Sequence, residues 1–209
     1  MDWNKIQNLL ELSSLISPTD IILFDMDNTL INTDKANNES YKSAIRQVLG
    51  QEYDDLFIDL TRICREDVKK RLCRISEKQL KDIVSMKSII YNDNINQTSL
   101  VPDVVELLEN ISTTNRCILV SNACADRVNQ TLKYYNLKDK FYSIITSEDC
   151  KDGCDKFDAA IGKLQLNPSD IWIIENEQKN IEIALKLNIK HLILKENEDF
   201  YYFTKSVSK

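Results

Sequence analysis

Glycine and proline are scarce in this chain, with three of each in 209 residues. Its turns must therefore be made by Asn, Asp and Ser, whose side chains bond the nearby backbone. There is a single histidine, His191, which opens an apolar strand-like run. Schemes that activate a nucleophile through histidine are poorly supported by that placement. The six cysteines (Cys64, Cys73, Cys117, Cys124, Cys150, Cys154) form no zinc-like C-x-x-C pair and read as reduced thiols of a cytosolic protein. No apolar run approaches the roughly 20 residues of a membrane span, and the amino end lacks a signal-peptide core. The expectation is a soluble cytoplasmic protein without membrane contact. A net charge of -6 lacks the basic balance of a general nucleic-acid binder, so no nucleic-acid partner is expected.

What the chain does have is a core-forming composition, 43% hydrophobic, and one telling stretch, Asp20-Ile21-Ile22-Leu23-Phe24-Asp25-Met26-Asp27-Asn28-Thr29-Leu30. Four apolar residues bounded by Asp on both sides predict a buried strand of a parallel sheet. Strand alternation turns Asp25 and Asp27 the same way just past its carboxyl end, where open α/β sheets keep their ligands. Two carboxylates so close repel, and a divalent cation or a shared proton relieves them.

Along the rest of the chain, residues 3–16 carry Trp3, Ile6, Leu9, Leu10, Leu12 and Leu15 near helical spacing, predicting an amphipathic lead-in helix before Ser17-Pro18. Residues 32–38 are polar and read as a loop. From 39 to about 86 the apolar spacing is helical throughout, so this block reads as an insertion after the first strand. From Leu100 the pattern alternates in βαβ fashion. Strands are expected at 117–120, 142–146, 171–174 and 191–194, with helices at 102–111, 126–135, 155–164 and 180–187. The strands at 21–24, 117–120 and 171–174 each end in polar groups that a parallel sheet brings to one place. The polar tail 204–209 is expected to fray.

These motifs, in this order, resemble those of the haloacid dehalogenase superfamily, in the branch of β-phosphoglucomutase and phosphoglycolate phosphatase. Asp25-Met26-Asp27-Asn28-Thr29 matches the family's D-x-D-x-T. Val120-Ser121-Asn122 is its strand ending in a hydroxyl, and a basic residue precedes the 155–164 helix. Glu175-Asn176-Glu177-Gln178-Lys179-Asn180-Ile181 is similar to its acidic E-D-S-x-x-(G/D)-I loop. The resemblance implies an α/β fold: a Rossmann-like parallel-sheet core over 1–34 and 97–209, with an inserted all-helical cap of the C1 type over 35–96.

It also implies roles. Asp25 attacks phosphorus to form an aspartyl phosphate, and Asp27 serves as acid and then base. Thr29, Ser121 and Asn122 hold the phosphoryl oxygens with a lysine. An ungapped alignment of Phe157, Ala160, Leu164 and Leu166 on the family's K-P-x-P-x-x-F helix selects Lys151, while a shorter loop favours Lys156. Magnesium is implied as cofactor, held through Asp25, Asp27, Glu175 and Asn176. Close relatives carry Glu-Asp where this chain has Glu175-Asn176, which exchanges a charged ligand for a neutral oxygen. The implied activity is a magnesium-dependent phosphatase acting on a small phosphorylated metabolite. A phosphomutase would use the same residues, and a phosphate-binding or regulatory protein with weakened turnover would keep the same fold. Asp27 itself argues against the dehalogenase branch, whose water chemistry does not use that acid.

Overall fold

The computed structural model describes residues 3–51, 53–150 and 153–204. In chain order the elements are β1 (Asn4–Ile6), α1 (Leu10–Ser13), β2 (Ile21–Asp25), β3 (Ile31–Asn32), α2 (Asp34–Leu49), α3 (Arg65–Arg71), α4 (Glu77–Tyr91), β4 (Ser99–Leu100), α5 (Pro102–Ile111), β5 (Arg116–Val120), α6 (Ala125–Tyr134), β6 (Ser143–Ile145), α7 (Lys156–Leu164), β7 (Ile171–Glu175), α8 (Gln178–Lys186), β8 (His191–Glu196) and β9 (Asp199–Thr204). The chain divides into two compact units, Met1–Ile31 with Leu100–Lys209, and Asn32–Ser99.

The first unit is an α/β layer structure on a seven-stranded sheet in the order β1-β9-β8-β7-β2-β5-β6. The five strands from β8 to β6 are mutually parallel, and β9 and β1 close the other edge antiparallel. In β2 and β7 every residue is buried, as a sheet covered on both faces requires. Alternation sends Ile22, Phe24, Leu119 and Ile174 to one core with α5 and α6, through Val104, Leu108, Val128 and Leu132. Leu23, Ile118, Ile173 and Leu192 go to the opposite core with α7 and α8, through Phe157, Ala160, Ile181 and Ala184.

At the amino ends of β7 and β8 the Trp172 ring stacks on His191, centroids 4.3 Å apart, and on Tyr202 at 5.4 Å. Trp172 Nε1 donates to Asp20 Oδ2 at 2.9 Å, and His191 Nδ1 lies 2.9 Å from the Tyr202 hydroxyl. The sole histidine is thus part of a structural stack at the sheet end away from Asp25.

The second unit packs α2, α3 and α4 around Tyr41, Ala44, Ile45, Phe57, Ile63, Val68, Leu80 and Ile83. Gly50 ends α2 at φ +73, a left-handed cap that suits glycine. A reciprocal Ser76–Gln79 capping box starts α4. The ammonium of Lys87, largely buried on α4, lies 5.1 Å from the centre of the Tyr41 ring and 5.2 Å from that of Tyr91.

Three local expectations are corrected. The single lead-in helix over 3–16 is instead a three-residue strand, β1, and the four-residue α1. The expected loop at 32–38 is mostly helix, because α2 begins at Asp34. Asn37 makes a polar start tolerable there: it is buried, and its amide donates to the Ile63 carbonyl at 2.8 Å. The strand expected to be last, β8, turns at Asn197 (φ +53) into an additional strand, β9. Of the tail expected to fray, Thr204 ends β9 and the rest lies outside the described residues. Among the described residues no helix is long and apolar enough to cross a membrane, and the six cysteines are free thiols.

Candidate active site

The carboxyl ends of β2, β5 and β7 lie side by side, with Asp25 paired in register to Val120. β2 delivers Asp25, which is buried. The chain then wraps tightly: Leu30 and Ile31 both donate their N–H to the Met26 carbonyl, at 3.1 and 3.0 Å, and Asn28 adopts φ +59. Asn tolerates that left-handed position better than most residues. The wrap brings Asp27 and Thr29 back beside the strand end.

From β5 follows Ser121, fully buried, whose Oγ accepts the Ala123 N–H at 3.1 Å. Asn122 is exposed. α7 is capped by Asp155, which accepts from the N–H groups of Phe157 and Asp158. That cap sets Lys156 at the first helical position with its side chain turned inward, 2% exposed. Lys156 Nζ donates to Asp25 Oδ1 at 2.6 Å and to Glu175 Oε2 at 2.7 Å. Lys151, which the ungapped alignment selects, lies outside the described residues.

Glu175, at the end of β7, is fully buried and occupied on both oxygens. Oε1 accepts the N–H groups of Asn176 and Glu177, at 2.9 and 3.0 Å. Oε2 accepts Lys156 and the Asn180 amide, the latter at 3.1 Å. In this arrangement Glu175 supports Lys156 and the turn into α8. Burial first, then the Glu175 carboxylate, push the Asp25 carboxyl up to about 7, against the pull of Lys156. For Lys156 itself, burial opposes the charge, but Asp25 and Glu175 outweigh it and raise the ammonium above its ordinary range.

A residue absent from the motif reading completes the site. Arg127, buried in the first turn of α6, donates Nη1 to Asp27 Oδ1 at 2.9 Å and Nη2 to Oδ2. Asp27 is therefore held bidentately, through both carboxylate oxygens. Arginine in an amphipathic helix reads as a solvated face, and only its nearness in sequence to Ser121 hints at the site.

A divalent cation here would meet the Asp25 carboxylate, the Asp27 carbonyl and the Asn176 side chain. These are hard oxygens of the kind magnesium takes with several waters. Among the described residues no three His, Cys, Asp or Glu side chains gather into a metal-binding group. One end of the Asn176 amide lies 3.1 Å from Thr29 Oγ1, 3.2 Å from the Asp27 carbonyl and 3.1 Å from Glu175 Oε1. An oxygen at that end accepts from Thr29 but otherwise faces acceptors, which a cation would reconcile. A nitrogen at that end has all three oxygens within reach of its two hydrogens. The donor set fits the ion when the amide turns its oxygen inward.

Residues 22–194 match the family described as haloacid dehalogenase-like hydrolase. Among curated proteins none matches. Several solved structures share the fold. A haloacid dehalogenase-like family hydrolase from Streptococcus pneumoniae is 19% identical, with 83% of each chain covered and a TM-score of 0.65. A protein described as a predicted phosphoglycolate phosphatase from Haemophilus somnus is 21% identical over 85% of this chain and 84% of its own, with a TM-score of 0.68. A CbbY variant from Rhodobacter sphaeroides, in complex with xylulose-(1,5)bisphosphate, is 15% identical over 85% of this chain and 86% of its own, with a TM-score of 0.70.

Proposed function

Because this chain belongs to the haloacid dehalogenase-like hydrolase family, we propose that it is a phosphatase of a small, soluble phosphorylated metabolite, working through an aspartyl phosphate on Asp25. The observation that carries this reading is Lys156, a buried ammonium 2.6 Å from Asp25 and 2.7 Å from Glu175 at the sheet's carboxyl end. A buried cation fixed beside a carboxylate offers a dianionic phosphoryl group its counter-charge without reorganisation. In the first step an Asp25 oxygen bonds to phosphorus as the bond from phosphorus to the leaving oxygen breaks, and Asp27, entering the step as the protonated acid released from the Arg127 fork, gives that oxygen its proton. In the second, water bonds to phosphorus, Asp27 takes the water's proton, and the Asp25–phosphate bond breaks. Ser121, Thr29 and Asn122 hold the equatorial oxygens, and Arg127 holds the Asp27 carboxylate between proton transfers. Magnesium, held by Asp25, the Asp27 carbonyl and Asn176, supplies charge neutralisation of the transferring oxygens when bound. The inserted unit Asn32–Ser99 is assigned the role of a specificity-bearing cap, as the family likeness implies.

A second reading is favoured by a specific pair of features. Arg127 engages both oxygens of Asp27, and Asn176 is neutral; both fit a phosphate-binding protein with weakened turnover. Release of phosphate from a generic aryl phosphate at millimolar magnesium, abolished by Asp25→Asn, is the result expected of the phosphatase. Phosphate binding with no release from a broad substrate panel at saturating magnesium would overturn it in favour of the second reading.

A further inference from the structure

The contacts of Asn176 carry an inference independent of turnover. The inward end of its amide meets three oxygens, of which the Asp27 carbonyl and Glu175 Oε1 can only accept and Thr29 Oγ1 can do either. A carboxylate in the same place would set its charge 3.1 Å from the ionised Glu175 and against the Asp27 carbonyl dipole, an arrangement that demands a cation. An amide has a second option. Its nitrogen, with two hydrogens to give, ties the β7 loop to the wrap after β2 through the Asp27 carbonyl and Thr29 Oγ1, with no ion present, while Arg127 holds the same wrap by the Asp27 carboxylate.

We propose that Asn176 is a two-way latch, donating from its amide nitrogen to the Asp27 carbonyl and Thr29 Oγ1 in the metal-free protein and turning its oxygen to a divalent cation when one is bound. The metal-free site is then a closed state, and the cation must displace the hydrogen bonds of the amide nitrogen to enter. Uptake is accordingly weak and reversible, and the protein's stability owes little to the ion. With a carboxylate at this position the balance would reverse: metal-free repulsion, and tighter uptake through one more ligand charge.

Manganese, added alone to the full chain and followed by the loss of its free-ion paramagnetic resonance signal, reads the binding. Melting in chelator and in millimolar magnesium reads the latch. Asn176→Asp is expected to bind manganese about tenfold more tightly than the parent, to melt lower in chelator, and to recover with magnesium. Asn176→Ala is expected to melt about 2–4 °C lower in chelator with no gain in affinity, having lost the donor alone. The parent is expected to melt alike in both conditions. Equal manganese affinity in the parent and Asn176→Asp overturns the proposal, as does an unchanged chelator melting point for Asn176→Ala. Neither measurement involves phosphate release, so a failed phosphatase assay leaves this inference standing, and the converse also holds.

Discussion

Arg127 and Asp27 form a two-pronged ion pair in which the side chains are only 9% and 19% exposed. Geometry of this kind distinguishes a guanidinium from an ammonium, because the planar fork matches both carboxylate oxygens. Removing the fork in Arg127→Leu leaves a largely buried carboxylate without its main counter-charge. The expected cost is about 2–3 kcal/mol in urea unfolding, toward the lower side of what a broken buried pair loses because Asp27 retains some water. Arg127→Lys keeps the charge but not the second prong, and a loss of about 1 kcal/mol is expected. Equal stability of the leucine variant and the parent would remove this pair from the account of the site.

In the metal-free protein, the side-chain carboxyl carbon resonance of Asp25 should titrate near 7, well above an exposed aspartate. Its causes are burial first and Glu175 second, opposed by Lys156. The sign for stability follows: the fold favours the protonated acid, so this contribution is full at low pH and is lost as pH rises through about 7. Glu175→Gln removes the second cause and should bring the midpoint down. Saturating magnesium should also bring it down, since a cation favours the ionised form.

His191 is the sole histidine, so one imidazole resonance reports it without ambiguity. Burial in the stack with Trp172 and Tyr202 is the first cause lowering its pKa, aided by Lys190 and opposed by Asp20. A proton NMR titration should place its midpoint below the ordinary histidine value of about 6.5. The neutral ring is the form the fold prefers. Its stabilising contribution is therefore present above the ordinary value and is lost as pH falls through the lowered one.

Burial contrasts two aliphatic side chains sharply. Leu23, fully buried at the middle of β2, should cost about 2–5 kcal/mol as Leu23→Ala, because the parallel strands on both sides limit collapse around the cavity. Ile58 is 83% exposed, and Ile58→Ala should stay within about 0.5 kcal/mol of the parent. Denaturant midpoints at unchanged slope are the measurement for both.

The legible parts of this chain were those where local pattern and tertiary role coincide. Ile21 to Phe24, bounded by Asp20 and Asp25, could only be a two-face-buried strand, and β5 and β7 announced themselves the same way. Where tertiary contacts override the local signal, the reading went astray. Asn37 looks like a loop residue, yet it is buried in α2 and satisfied by the Ile63 carbonyl. The spacing of Trp3, Ile6, Leu9 and Leu10 fits a helix, but β1 is fixed by pairing with β9, a strand at the far end of the chain. In the site, Asp25, Asp27 and Glu175 stand at strand ends that motif order marks. Arg127 does not, because a residue recruited from a helix to a strand-end carboxylate leaves no periodic trace. The Asn176 amide's contacts were equally invisible, since they depend on three acceptors from two separate loops.

The strand bearing Asp25 is the middle one of the five parallel strands, with Ile21 aligned to Arg116 on one side and to Ile171 on the other. During synthesis β2 is made early and both its neighbours late, with the whole of Asn32–Ser99 emerging between them. Pairing across such separations is intrinsically slow, since long loops must close before the contacts reward them. A nascent chain that has not yet released β7 therefore displays the edge of a strand that is apolar from Ile21 to Phe24, the kind of edge that invites pairing with other chains. Lys156 and Glu175, which surround the Asp25 carboxyl, lie far behind β2 in the chain, so competence at this centre waits until both have been synthesised.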